Sequence, residues 1–495
     1  MEFIHLHDND TVVVALEPLA AGVCIHLPGG EVAISTELLP GHKYAARPIF
    51  VGEAVYKYAA PIGYATADIA LGEHVHTHNM KTTLSGIENY EYQPQLPISR
   101  QNSEDTKRHF MGYRRANGKV GTRNEIWIMS TVGCVSRLAQ KIAIKAEVLH
   151  ETQCDGVFAF THPFGCSQTG DDLDSTRDIM AALAQHPNAG GVLVLGLGCE
   201  NNQGKNLLAK IPAEFHSRIR FFNCQQAEDE IAEGLAAVAE LAELASQDQR
   251  TECPLSDLVL GMKCGGSDGF SGLSANPLVG RMADRLCDVG GTVLLTETPE
   301  MFGAEQILMN RACDEAVFEQ TVSLINDFKQ YFLDYKQNIY DNPSPGNKDG
   351  GITTLEEKSM GAIQKGGTAT VRGVLAYAEP VKQSGLNLLQ SPGNDAVSST
   401  ALTASGATVI LFTTGRGTPL GFPAPTVKIS SNTGLAQAKK NWIDFDAGQL
   451  FSQHSMASLA DEFIEYIIQV ASGQQTCSER NDQREIAIWK NGVTL

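Results

Sequence analysis

From Tyr113 onward, short unbroken apolar runs alternate with amphipathic stretches, and this alternation constrains the fold more than any other feature of the chain. Glu125-Ile-Trp-Ile-Met129, Gly156-Val-Phe-Ala-Phe160 and Gly191-Val-Leu-Val-Leu195 read as strands buried on both faces, the mark of parallel sheets covered by crossover helices. The runs continue at 258–260, 292–296, 369–376 and 408–412, with helical periodicity over 227–245 and 318–335. The expectation is a two-lobed α/β body with mainly parallel sheets, its lobes at 111–250 and 251–495, the second Rossmann-like.

Residues 1–87 have a different texture. Alternating segments such as Thr11-Val-Val-Val-Ala-Leu16 and Glu31-Val-Ala-Ile34 are broken by Pro28-Gly-Gly30 and Pro40-Gly41, which predicts a small β-rich N-terminal domain. Residues 88–110 lack either hydrophobic period and contain two prolines, as a linker does. A chain of 495 residues exceeds what one core organises, so three domains are reasonable. The strongest loop signal is Asp341-Asn-Pro-Ser-Pro-Gly-Asn-Lys-Asp-Gly-Gly351, read as a domain boundary or a substrate-binding loop.

Several predicted strands run straight into Gly-rich turns: Thr161-His-Pro-Phe-Gly-Cys-Ser-Gln168, Gly196-Leu-Gly-Cys-Glu-Asn-Asn-Gln203, Cys264-Gly-Gly-Ser-Asp-Gly269 and Thr414-Gly-Arg-Gly-Thr-Pro419. Ligands in open α/β sheets bind beyond the carboxyl ends of strands, so these turns should face a cleft. Two metal sites compete. In Gly72-Glu-His-Val-His-Thr-His-Asn79, strand alternation would put His74, His76 and His78 on one side, with His5, His7 and His42 in the same module. Alternatively Cys166, Cys199 and Cys264, joined by Cys134, offer thiolates for iron or, less favoured, an iron–sulfur cluster. Plain packing of buried thiols competes with that role. Lys43, in Gly41-His-Lys, and Arg416, between two glycines, are the candidate cations for an anionic substrate.

The formal charge of −19 excludes nucleic acid and anionic membrane as partners, because both demand clustered Lys and Arg. There is no run of about 18 apolar residues and no basic-then-apolar leader, so the expected compartment is the cytoplasm. Eleven dispersed cysteines fit reduced thiols rather than a disulfide framework. NAD is not expected, since no early strand leads into Gly-x-Gly-x-x-Gly with an acid about 20 residues on.

Gly41-His-Lys, the His-Val-His-Thr-His string, Gly196-Leu-Gly-Cys-Glu, Cys264-Gly-Gly-Ser-Asp, Asn342-Pro-Ser-Pro-Gly-Asn-Lys348 and Thr414-Gly-Arg-Gly-Thr-Pro together resemble the galactarate dehydratase/altronate hydrolase family over essentially the whole chain. The resemblance implies an N-terminal domain of the antifreeze-like/flagellar-chaperone type. It also implies loss of water from D-altronate to give 2-keto-3-deoxy-D-gluconate in hexuronate breakdown, with divalent iron, or else manganese, as cofactor. Galactarate, or sulfolactate in a related sulfite-expelling lyase, is the alternative substrate, and a non-catalytic sugar-acid-binding protein the alternative class. The expected partner is a small sugar acid, and a homo-oligomer is compatible with the sequence. His42, Lys43, His162 and Arg416 are the catalytic candidates, with Ser267, Asp268, Asn347 and Lys348 around the substrate. The metal candidates are His7, His74 and His76, or Cys166, Cys199 and Cys264.

Overall fold

A computed structural model describes residues 2–34, 36–97, 104–452 and 454–495. The first lobe is built on four parallel strands in the spatial order Val157–Phe160, Glu125–Ser130, Ala189–Gly196, Ile219–Asn223. Its runs are apolar without interruption because both faces are covered. Ile126 and Ile128 pack on one side with Ile142 and Leu241, from helices Ser136–His150 and Glu230–Ser246. Trp127 and Met129 point the other way, towards Ile179 of helix Gly170–Leu183.

The second lobe carries seven parallel strands in the order Val371–Leu375, Gly385–Leu389, Thr292–Leu295, Val259–Cys264, Val409–Thr414, Thr426–Ser430, Phe445–Asp446. The chain enters at Val259–Cys264, winds outward on one side and later returns to the other. The carboxyl ends of Val259–Cys264 and Val409–Thr414 therefore form a topological switch point, where open α/β sheets bind ligands. The two-lobed parallel body is as the sequence predicts. Strands 219–223, 385–389 and 426–430 escape the sequence pattern because Arg220, Asn387 and Lys428 interrupt their apolar runs. Among the described residues, no helix is long and apolar enough to cross a membrane.

The lobes are clamped by Arg123, whose guanidinium donates to both carboxylate oxygens of Glu479 (2.7 and 3.0 Å) and to the carbonyls of Thr122, Val470 and Gln474. The strand His109–Arg114 pairs with Thr251–Pro254, so the chain is ordered into a sheet before the expected linker ends. The described part of that linker is extended and bound along the second lobe: Tyr90 donates to Glu305 and Tyr92 to the carbonyl of Ala312. Linker residues 98–103 lie outside the described residues.

The N-terminal domain is rich in strands, as predicted. Val12–Ala15 lies between Phe3–Ile4 and Lys43–Ala45, with His74–Val75 beyond. Val12–Ala15 is buried throughout because it feeds two small cores, one holding Val12 with Ile62 and Val75, the other Val13 with Leu27 and Tyr44. This domain docks on helix Leu355–Ala362. Glu357 accepts hydrogen bonds from Lys43 (2.8 Å) and Lys57 (2.9 Å), and Glu356 accepts the Thr82 and Thr83 hydroxyls and the Thr83 N–H. Backbones also touch directly: a Cβ on Gly269 would lie 2.0 Å from the Gly41 carbonyl oxygen, and one on Gly351 would lie 2.4 Å from it.

Burial alone would raise the Glu357 carboxyl, but the two ammoniums hold it down at about 2. A carboxyl depressed in the folded state contributes stability above its unfolded value, near 4.5, and loses it as pH falls towards 2. Glu357→Gln should flatten that segment of a Tm-against-pH curve. At neutral pH it should cost about 3–5 kcal/mol by leaving buried ammoniums short of a counter-charge. Arg123→Met should destabilise by a similar amount through the orphaned Glu479, measured by denaturant unfolding.

Candidate active site

The Gly-His-Lys turn and the His-rich string converge on one side of the segment 344–353. His42, His74 and His76 form a triangle with ring centroids 5.2–5.4 Å apart, and His78 lies beyond His74 at 5.6 Å, its ring tilted. The string does not continue as a strand past Val75. Asn79 folds it over, its Oδ1 accepting the His76 N–H and its Nδ2 donating to the His74 carbonyl.

Carbonyl oxygens only accept, so the tautomers follow. His42 Nε2–H donates to the Asp349 carbonyl (3.2 Å) and His76 Nε2–H to the Lys348 carbonyl (3.0 Å). That leaves Nδ1 of both rings with a lone pair, and His42 Nδ1 accepts from His74 Nε2–H at 3.0 Å. Burial, with neighbouring imidazoles and Lys43 adding to it, pushes His74 down to about 3. Burial followed by Lys43 pushes His76 to about 4, and His42 is lowered by burial too. All three are neutral at physiological pH, the form that binds metals.

Lys43 is not open to a ligand in this arrangement. It is fully buried, donating to Glu357, Thr353 Oγ1 (2.7 Å) and the Gly351 carbonyl (2.9 Å). Burial pushes its ammonium down to about 8 although Glu357 opposes the shift. With Lys57 on the same carboxylate, two ammoniums face one acid, leaving a surplus positive charge beside the imidazoles in a chain that is acidic overall.

Across the short helix Pro345–Asp349 lies a cavity of about 440 Å³. Its wall includes Cys264, Glu300, Asn342, Asn347, Lys358 and Asp395, at the carboxyl ends of the second lobe's strands. The segment read as a loop at 341–351 thus contains a helix, capped by Ser344. Its Asn347 donates to the Ser267 carbonyl (2.8 Å) and, with Asn342, accepts from Lys358. Lys358 also pairs with Glu300 at 2.8 Å. Behind it, Glu297 is gripped by Lys263 and, at 2.7 Å, by Lys365, while Lys263 reaches Asp395 at 3.0 Å. Glu297 holds a left-handed backbone (φ 70°), strain of the kind that clusters at functional sites.

Cys264, Glu297 and Glu300 have ligand atoms within 4.8 Å of one another, the one such metal-ligating group among the described residues. Charge argues against a cation there. Three lysines already neutralise Glu297, Glu300 and Asp395, and burial pushes the Cys264 thiol up to about 12. The imidazole triangle carries no such charge conflict, but its ring nitrogens are not all within 4.8 Å of one another, so the rings would have to close in around an ion that replaced the single proton shared by His42 and His74.

The remaining candidates are dispersed. Asp268 is a buried hub, accepting from Ser271, Ser431 and Asn432, and Gly415 packs against it. Arg416 N–H donates to the Gly266 carbonyl while its side chain is exposed beside the switch point. Lys348 contributes its carbonyl to His76. His7 is exposed, its Nδ1 accepting from the Asn9 N–H. His162 is buried in the first lobe against Met180 Sδ (3.2 Å), and burial pushes it down to about 4. Cys166 and Cys199 are exposed on first-lobe turns, so the thiolate trio with Cys264 is not assembled. Glu300, Glu357, Lys358 and Asp395 were missed; their only sequence signals are the run Glu356-Glu-Lys358 and Asp395 after Pro-Gly-Asn.

Comparison with known proteins agrees with this architecture. The Altronate/galactarate dehydratase SAF domain matches residues 1–83, the D-galactarate dehydratase/Altronate hydrolase second domain 112–246, and the D-galactarate/Altronate dehydratase C-terminal domain 255–494. The chain is similar to "Altronate dehydratase" of Escherichia coli (strain K12), 51% identical with 100% of both chains covered. It is also similar to "Altronate dehydratase" of Bacillus subtilis (strain 168), 49% identical over 100% of this chain and 99% of the relative. "Galactarate dehydratase (L-threo-forming)" of E. coli is 32% identical over 96% and 93%. Matched in all three domains and end to end, the chain belongs to the galactarate dehydratase/altronate hydrolase family.

Proposed function

We propose that the chain is an altronate dehydratase, a hydro-lyase converting D-altronate to 2-keto-3-deoxy-D-gluconate in hexuronate breakdown. The higher identity to altronate-acting than to galactarate-acting relatives carries the choice of substrate. The cavity supports it, being large enough for a six-carbon polyhydroxy acid and lined by a cation, amides and a carboxylate.

Removing the proton beside a carboxylate builds charge on that carboxylate, so cations must meet it as the charge develops. Lys358 is the cation on the cavity wall, and Asn342 and Asn347 fix its ammonium while offering amides to substrate hydroxyls. Asp395 is the wall carboxylate that solvent reaches, 34% exposed and 3.0 Å from the Lys263 ammonium. It takes the C2 proton and returns it to the departing C3 hydroxyl, which leaves as water; the resulting enol becomes the 2-keto acid. Divalent iron, or manganese, would be held by His42, His74 and His76 and would supply Lewis-acid chemistry there.

Purified protein should form 2-keto-3-deoxy acid from D-altronate and far less from D-galactarate; a reversed preference would move the substrate. Chelation or His74→Ala should abolish turnover together with bound metal, and unchanged activity would remove the metal from the reaction. Asp395→Asn should lower kcat by about 10²–10⁴-fold with KM little changed, and normal kcat would exclude it as the base.

A further inference from the structure

The four parallel strands of the first lobe each run into a cysteine-bearing turn. Ser130 is followed by Cys134, Phe160 by Cys166, Gly196 by Cys199 and Asn223 by Cys224. Because the strands are parallel, all four turns lie on one edge of the sheet. Cys134, Cys166 and Cys199 belong to three adjacent strands and are exposed, whereas Cys224 packs against the first lobe's core. Free cysteine is normally among the most buried residues, so three exposed thiols on neighbouring turns are not explained by packing.

The turns are fastened to one another. Gly133 N–H donates to the Phe164 carbonyl, Asn202 N–H to the Gly165 carbonyl (both 2.9 Å), and Ser167 N–H to Asn201 Oδ1 (2.9 Å). A Cβ at Gly165 would fall 2.1 Å from the Thr131 oxygen, so the Cys166 turn lies directly on the Cys134 turn. Gln225 donates its side-chain amide to Cys199 Sγ at 3.5 Å. The 15-residue helix Ser136–His150 begins just after Cys134.

From these observations we propose that Cys134, Cys166 and Cys199 bind an iron–sulfur cluster on the carboxyl edge of the first lobe. Neighbouring strands are about 4.8 Å apart, so three strand ends span about 10 Å before their turns fold inward. No three of these sulfurs lie within 4.8 Å of one another among the described residues. A single tetrahedral ion with metal–sulfur bonds of about 2.3 Å needs thiolates about 3.8 Å apart. A sulfide-bridged cluster takes thiolates set wider apart than a single ion does. Three thiolates leave one iron of a four-iron cluster without a protein ligand, open to water or a small oxygen ligand. The site uses none of the residues assigned to sugar-acid chemistry.

The test is anaerobic reconstitution of the full chain with ferrous iron, with and without sulfide, followed by assay of iron, acid-labile sulfide and visible absorption. The wild type should take up about four iron and four sulfide atoms per chain only when sulfide is supplied. Cys134→Ser, Cys166→Ser and Cys199→Ser should each lower that content and the triple variant should abolish it, with circular dichroism melts unchanged. Cys24→Ser, exposed in the N-terminal domain, should retain it. No sulfide-dependent iron uptake, iron bound without sulfide but lost in the triple variant, zinc in its place, or a cluster retained by the triple variant would each overturn the proposal. Altronate turnover measured on the same samples separates the two readings: turnover without a cluster leaves the dehydratase standing, and a cluster without turnover leaves the cluster site standing.

Discussion

Three consecutive side chains on helix Leu355–Ala362 hold the molecule's parts in relation to one another. Glu356 takes the threonines at the end of the N-terminal domain, Glu357 takes that domain's two buried lysines, and Lys358 turns to Glu300 and the cavity. A helix turns about 100° per residue, so neighbours in sequence face different partners, and one short segment serves the docking surface and the pocket together. Because these groups are buried and paired, the geometry tolerates little slack: removing Glu357 or Lys358 leaves a charge in a dry environment.

Charge bookkeeping separates the two polar clusters that flank helix Pro345–Asp349. On the imidazole side, neutral rings with spare lone pairs sit beside a surplus ammonium. On the cavity side, lysines and carboxylates balance one for one. Proximity of ligand atoms alone would have chosen Cys264, Glu297 and Glu300 as the cation site. Counting charges reverses that choice, because those carboxylate oxygens are already occupied by ammoniums.

The α/β body was legible because burial on both sheet faces writes continuous apolar runs such as Ile126–Met129. Strands containing Lys428 or Asn387 were illegible for the converse reason: a single polar residue breaks the run even where it is buried. In the candidate site, the nearness of His74 and His76 followed from period-two spacing, although a turn held by Asn79 now maintains it. Their meeting with His42 did not follow, since it depends on pairing Lys43–Ala45 with His74–Val75, a contact across thirty-odd positions. For Glu357 and Lys358 the local signal points the wrong way: an acidic-basic run on a helix usually means a solvated face, and only tertiary packing buries it. Lys43 shows the opposite error, where the cation of Gly41-His-Lys suggested an open ligand site and the fold spent it on a carboxylate 314 residues away.

The contact of Gly41 with Gly269 and Gly351 has a bearing on inheritance. Three motifs, distant in the chain and drawn from two domains, meet at a spacing that leaves no room for a side chain at Gly269 or Gly351. They therefore form one heritable unit: an N-terminal domain grafted from a relative, or supplied as a separate polypeptide, would seat on this body only if the receiving surface kept the same bare backbone. Recombination at the domain boundary is thus limited by two missing methyl groups in the recipient, rather than by the linker that joins them.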